Sequence, residues 1–380
     1  MKSYRLFAIL AALLLAVALA QVPPAATQKE SAQESATQKG ETDLVQRENN
    51  ARPEVKTKLA ELRRDIKEKN LKFTVGYTDA VDRKLEELAG AVVPPDLPQQ
   101  ARKQNEVAMQ KVAEDTAARE AFKKKNPGKK LPEEVVQEEV QNEFMNLNPG
   151  AKMPAEDQAH ASRLPLAPPS MWDWRTRKKV TPVRDQRQCG SCWAFTTVAV
   201  YESSHLIRNN LTTADASEQG VVSCSGAGSC GGGWWAFNYF ATKGDAAEAT
   251  YPYMATNGVC NASAPATYRA VTSGYVIPSG GIPTVAQMKA ALIKYGPLAI
   301  TVYVSPAFMA YTGGVFNEHY PTASINHAIT LIGWNDTKGA WLIKNSWGTG
   351  WGEKGYMWIA YDSNNVGTGA SWVMAKAGAY

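Results

Sequence analysis

The sequence predicts the α+β fold class, a helical half followed by a β half, preceded by a separate helical N-terminal region, and three observations predict it. All eleven tryptophans and all five cysteines lie beyond residue 170, after a tract at 146 to 170 broken by Pro149, Pro154, Pro165, Pro168 and Pro169, so the packed domain is C-terminal. Inside that domain an apolar helical pattern opens at 191 and runs to 208, and β-rich runs separated by glycine turns follow after about 270. Helices first and strands second is the order of an α+β domain with a cleft between its parts.

The elements follow in chain order. Residues 1 to 20 begin with Lys2 and Arg5, continue as an apolar run from 6 to 19 and close on Ala18-Leu19-Ala20, the pattern of a cleaved signal peptide. That run is short for a bilayer, and no second apolar stretch of about 20 residues follows it. Export is therefore expected, to an extracellular, periplasmic or lysosome-like compartment, with no permanent membrane segment. From 21 to 50 the chain is rich in Ala, Gln, Thr, Ser, Lys and Glu, with Ala26-Thr-Gln-Lys29 echoed at Ala36-Thr-Gln-Lys39; such a composition reads as a disordered leader. Residues 51 to 165 carry charged helical patterns at 53 to 70, 98 to 124 and 132 to 145, split by Pro94-Pro95 and Asn126-Pro-Gly128, and then the breaker-rich linker. The C-terminal domain spans 166 to 380, helical to about 270 and β thereafter, with strands expected at 298 to 304, 327 to 334, 340 to 343 and 356 to 359.

Composition narrows the chemistry. The 380 residues are 44% hydrophobic, enough for a folded core, and the net charge of +5 is not gathered into a basic block with interleaved aromatics, so nucleic-acid binding is not indicated. Five cysteines are an odd number for an oxidising compartment; two disulfides and one free thiol is the economical arithmetic. Cys192 stands at the start of the 191 to 208 helix, where unpaired N–H groups and the dipole lower a thiol's pKa, so a thiolate near neutral pH is expected.

A thiolate nucleophile needs a base, and the chain has four histidines. His160 precedes the domain, and His205 follows Cys192 on the same helix at roughly 20 Å. His319 sits in a polar loop sequence, whereas His327 opens the apolar run Ala328-Ile-Thr-Leu-Ile-Gly333 and is the better candidate. Asn345, at the end of Leu342-Ile-Lys-Asn345, could orient the imidazole, with Trp347 shielding that bond from water. Gln186, six positions before Cys192, could stabilise a tetrahedral oxyanion together with the Cys192 backbone N–H.

The block from Gln186 to Phe195, with its Cys189-Gly-Ser-Cys-Trp193 core, resembles the papain-like cysteine peptidases. So do Trp172-Asp-Trp-Arg175, Ser217-Glu-Gln219, Cys230-Gly-Gly-Gly233, Tyr251-Pro-Tyr253, Gly296-Pro297, Asn326-His-Ala328 and Lys344-Asn-Ser-Trp-Gly348. The resemblance implies the two-subdomain papain-like fold. It also implies Cys192 as nucleophile, His327 as general base and acid, Asn345 as orienter and Gln186 as oxyanion donor, with disulfides Cys189–Cys230 and Cys224–Cys260. A third bridge common in the family is missing, since Pro321 and about Thr368 stand at its positions. Gly232 and Gly233 fall at the edge that pairs with an extended peptide, and Trp234, Trp235, Ile325, Asn326, Ala328 and Trp347 around the cleft, which implies a bulky apolar preference at the second residue before the cut.

The upstream region resembles inhibitory propeptides of that family at Ile66, Asn70, Gly76, Asp82, Glu86 and Glu87. It departs from them at Thr78, Ala80 and the earlier helix positions, and its stretch from 92 to 161 is longer than such propeptides need. The expected protein is a secreted zymogen of an endopeptidase, a monomer acting on proteins or peptides, inhibited by its own propeptide and needing no metal or cofactor. Two other readings use the same residues: a thiol-disulfide oxidoreductase built on the Cys189 and Cys192 pair, and a catalytically silent binding protein on the same fold.

Overall fold

The computed structural model describes residues 44 to 147 and 168 to 378. The signal sequence, most of the leader and most of the linker lie outside the described residues. Residues 47 to 50, assigned above to a disordered leader, are helical. Their order has a visible cause, because both oxygens of Glu48 accept from the Arg63 guanidinium, at 2.7 and 2.9 Å, and Glu48 also accepts from the Tyr77 backbone N–H at 3.2 Å.

The three longer helices of the N-terminal region each carry a proline in the first turn. Helix α1 is Pro53–Glu68, with a proline in its first turn, where no backbone N–H is missed, and Leu59 as its buried residue. A short strand β1 (Phe73–Val75) and a single turn α2 (Leu85–Leu88) follow. Two longer helices then form a hairpin: α3 (Leu97–Lys125) ends in Lys123, Lys124 and Lys125, and α4 (Pro132–Leu147) begins with Glu133 and Glu134, so each end suits the helix dipole.

In the C-terminal part, β2 (Met171–Asp173) leads to α5 (Cys192–Arg208), a helix buried on nearly all sides, and then to α6 (Glu218–Cys224), whose first turn is capped by the Ser217 hydroxyl accepting from Gly220 N–H at 2.8 Å. The two-residue strands β3 (Gly228–Ser229) and β4 (Gly232–Gly233) pair with each other, and α7 (Phe237–Thr242) closes this helical half. Next come β5 (Ala270–Tyr275), α8 (Val285–Tyr295, opened by a Thr284–Gln287 capping box), β6 (Leu298–Val302), α9 (Pro306–Met309), β7 (Tyr311–Phe316), β8 (His327–Asn335), β9 (Ala340–Lys344), β10 (Tyr356–Ala360) and β11 (Thr368–Ala375). Strands run β1-β7-β10-β9-β8-β6-β11-β5, with β2 added on β8.

All four expected strands are present within two residues of their expected ends. Strands β5, β7 and β11 and helix α8 were not expected. The N-terminal region contributes β1 to the same sheet through antiparallel pairing with β7. The core cluster joins α5, α7, β5, β6, β8 and β11 through residues such as Val198, Tyr201, Phe240, Ala299, Ala328 and Val373. It fixes α5 against β8, and that places Cys192 beside the start of β8.

Candidate active site

Cys192 is the first residue of α5, after a Ser191 whose side chain makes no capping bond, so the helix end leaves backbone N–H groups pointing outward. His327 is the first residue of β8, and Asn345 follows the last residue of β9. The antiparallel register Thr330↔Lys344 and Leu331↔Ile343 brings Asn345 opposite Ile329, diagonal to His327 on the same face. The Asn345 Oδ1 and His327 Nε2 are 2.8 Å apart, and Asn345 Oδ1 also accepts from Ser346 N–H at 2.8 Å. Trp347 covers the pair, its ring centroid 4.6 Å from that of His327.

Gln186 is fully buried and fixed at every polar atom. Its Oε1 accepts from the Ser346 hydroxyl at 2.7 Å, and its backbone N–H donates to the Ser346 carbonyl at 2.8 Å. Tyr253 donates its hydroxyl proton to the Gln186 carbonyl at 2.9 Å, and the same hydroxyl lies 2.7 Å from the Ser191 Oγ. Ser346 and Tyr253 are positioning groups that the sequence reading passed over. Each lay inside a quoted motif, which was the available signal.

The cleft is filled by the chain itself. Residues 88 to 92 run through it, and their hydrogen bonds to the domain use their main-chain groups. Gly90 N–H donates to the Cys192 Sγ at 3.2 Å, Ala91 N–H to the Asn326 carbonyl at 2.9 Å, and Val92 N–H to the Gly233 carbonyl at 3.0 Å. In return Gly233 N–H donates to the Gly90 carbonyl at 2.9 Å, which makes the Ala91 and Gly233 bridge parallel. The Gln186 Nε2 donates to the carbonyls of Glu87 at 3.0 Å and Leu88 at 3.2 Å, and Trp347 Nε1 donates to Leu88 at 3.1 Å. A Cβ at Gly90 would sit 1.8 Å from the Gly190 carbonyl oxygen, so no larger residue fits there without moving the strand. Gly232 has a φ of +121°, and a Cβ there would meet Val92 at 2.8 Å.

Burial decides the protonation states. Desolvation pushes the Cys192 thiol up to about 11, against the smaller pull of the Ala328 and Gly90 N–H groups, and pushes His327 down to about 4, against the bond to Asn345. The expectation of a thiolate near neutral pH is therefore not met in this state. Both groups are neutral in this state because burial, with the strand lying over the thiol, removes the water that would favour an ion pair.

The remaining predicted residues have plain positions. Trp234 is 7% exposed, belongs to the core and donates Nε1–H to the Tyr275 hydroxyl at 3.0 Å, while the half-buried Trp235 donates to the Gly369 carbonyl at 2.8 Å. Ala328 and Ala91 lie in the same cluster, with Ile325 packed against it. Disulfides join Cys189 to Cys230 and Cys224 to Cys260, and Cys192 is free. The dithiol alternative thus lacks its second thiol. His205 stacks on Tyr201 and His319 lies 3.2 Å from the Asp362 carbonyl, both on partners other than Cys192. Among the described residues no cluster of three or more His, Cys, Asp or Glu could hold a metal ion, and no helix is long and apolar enough to cross a membrane.

Fold and site together define a two-part α+β protein with a cysteine, histidine and asparagine at the junction of its halves. Residues 168 to 376 match the family model for papain family cysteine proteases, and the chain belongs to that family. It is 40% identical to gamete and mating-type specific protein A of Dictyostelium discoideum over 204 residues, 51% of this chain and 43% of that protein. It is 38% identical to digestive cysteine proteinase 2 of Homarus americanus over 203 residues, 51% and 62% of the two chains. The chain thus spans less than two thirds of these relatives' lengths. Among solved structures, the digestive procathepsin L2 proteinase from Tenebrio molitor larval midgut is similar at a TM-score of 0.59 and 25% identity, over 92% of this chain and 99% of that one. The proform of the ragweed pollen cysteine protease Amb a 11 shares the fold at a TM-score of 0.59 and 22% identity, over 88% and 92%. The papain-like fold with a helical N-terminal region is therefore the fold of this protein.

Proposed function

We propose that the chain is the zymogen of a secreted cysteine endopeptidase. Its boundaries are a signal peptide at 1 to 20, a leader reaching the helix that contains residues 47 to 50, a propeptide and linker to about 165, and a peptidase domain from about 166. The single observation that carries the reading is the free Cys192 at a helix N-terminus, beside the His327 and Asn345 pair, with a strand of the same chain lying across it. Once that strand leaves, water and charge return to the cleft, and the thiol and imidazole can form a thiolate and imidazolium pair. The thiolate attacks the peptide carbonyl, and the oxyanion is held by Gln186 Nε2 and the Cys192 N–H. His327 then passes its proton to the departing amine, leaving an acyl-thioester that a water activated by His327 hydrolyses.

Gly232 and Gly233 bind the substrate main chain, and the wall of Trp234, Trp235, Ile325 and Ala328 favours a bulky apolar side chain at the second residue before the cut. A peptide-library profile favouring arginine or glycine there would overturn that preference. The test of the activity is hydrolysis of a fluorogenic dipeptidyl amide under mild reductant by the full chain, before and after acid incubation, beside a Cys192→Ala control. Activity that appears as the mass falls to a product beginning near 150 to 170, and is absent in the control, is the expected result. A folded, reduced product cleaved in that range that hydrolyses nothing would contradict it.

A further inference from the structure

The strand in the cleft accounts for residues 88 to 92, but the hairpin α3 and α4 runs on from it over the peptidase domain, and much of it lies against groups that serve no step of the chemistry. Arg208 is the last residue of α5, sixteen residues from Cys192 and roughly 24 Å along the helix. Its side chain is 8% exposed, and it meets Asp115 of α3 at 2.9 Å, itself 8% exposed, and Glu133 of α4 at 3.0 Å, which is 4% exposed. Glu133 also receives Arg119 of α3 at 2.7 Å. Arg177, with 5% of its side chain exposed and its guanidinium 3.6 Å from the Trp172 ring centroid, pairs with Glu143 of α4. Two cations of the peptidase domain are thus buried against carboxylates of the hairpin.

The second half of the contact is an edge. β5 ends the sheet order, so one side of its ladder has no strand partner. The Asn105 carboxamide fills that place: its Oδ1 accepts from Tyr275 N–H at 2.7 Å and its Nδ2 donates to the Tyr275 carbonyl at 3.1 Å, as the peptide group of an added strand would. Gln104 donates to the Ser273 carbonyl at 2.8 Å, and Leu97 packs over Gly280, where a Cβ would stand 2.7 Å from its Cγ. A buried arginine without a carboxylate and an open strand edge without a cover are both costly.

We infer that the face of the peptidase domain formed by Arg208, Arg177 and the edge of β5 is a second docking surface, built for a helical hairpin that brings carboxylates to its two arginines. Its occupant, residues 97 to 147, anchors the strand in the cleft from a distance. The inference rests on the reading of residues 88 to 92 as the blocking strand and deepens it. The strand alone makes a few main-chain bonds that any extended peptide could make, and it stays because it is tethered on both sides, upstream by β1 on β7 and the Arg83–Asp185 pair and downstream by the hairpin, which keep it at high effective concentration.

The test is hydrogen exchange on the full-length Cys192→Ala chain, with and without Asp115→Asn and Glu133→Gln together, and separately with Asn105→Ala. The expected result is exchange across 97 to 147 at least about tenfold faster in the carboxylate variant, with the Ala91 and Val92 amides speeding up alongside and the amides of β6 and β8 unchanged. Asn105→Ala moves the same amides in the same direction by a smaller factor. An unchanged hairpin in both variants would overturn the inference, and so would a hairpin that opens while Ala91 and Val92 keep their protection. If the carboxylate variant also loses protection in β6 and β8, it has unfolded, and Asn105→Ala decides. Every chain in this experiment lacks the nucleophile, so a failure of the peptidase reading would appear in the amide-hydrolysis assay and leave the exchange result standing.

Discussion

Two segments of the N-terminal region touch the peptidase domain in chemically opposite ways. In the cleft, Leu88, Gly90, Ala91 and Val92 bond the peptidase domain through backbone groups. Beyond the cleft, Asp115, Glu133, Asn105 and Gln104 bond through side chains to buried or edge groups. The difference teaches that occupying a peptidase cleft requires only an extended backbone, while staying there requires side chains, and in this chain the two tasks are assigned to different segments.

Changes on either side test that division. The largest effect is expected from Glu133→Gln, which leaves Arg208 and Arg119 short of a buried carboxylate; removing one member of such a group costs about 3–5 kcal/mol, read as earlier unfolding of the hairpin in urea while the peptidase domain holds. Acid comes next. Burial holds His327 at about 4, below its ordinary 6.5, so the intact folded chain binds fewer protons than the unfolded chain and loses stability as pH falls through that window, by roughly 3 kcal/mol at pH 4. Cys192, held at about 11 above its ordinary 9.0, gives the opposite limb, with stability falling again as pH rises past 9.0. Urea unfolding of the intact chain should therefore show its highest midpoint between 6.5 and 9.0.

Gly90→Ala should push the strand off the Gly190 carbonyl at a cost of about 1–3 kcal/mol, seen as roughly 5 to 150-fold more hydrolysis by the uncut chain. The smallest effect is Thr78→Val. The buried Thr78 hydroxyl donates to the Met309 carbonyl at 2.6 Å, and losing it should weaken docking by about 1 kcal/mol.

That last contact shows what the sequence concealed. Thr78 and Ala80 depart from the propeptide pattern, yet both are buried, and the Thr78 hydroxyl meets this domain's own α9 at Met309. The Cys192, His327 and Asn345 constellation was legible because helix start, strand start and strand end each have a local signal. β7 was not, since Tyr311-Thr-Gly-Gly-Val-Phe316 holds two glycines; Gly314, at φ +87°, lets Lys72 of the N-terminal region approach. β5 and β11 lack alternation because both their faces are buried, so period-two reasoning has nothing to count. The thiolate expectation failed for a related reason: the helix dipole is local, while the strand that desolvates the thiol lies about a hundred residues earlier in the chain.

The most direct measurement is the rate at which iodoacetamide labels Cys192 at pH 7 in the reduced, intact chain and after the N-terminal region has been removed. A neutral thiol sealed under Gly90 predicts labelling of the intact chain at least about a hundredfold slower than of the freed domain. Equal rates, or fast labelling of the intact chain, would contradict the account.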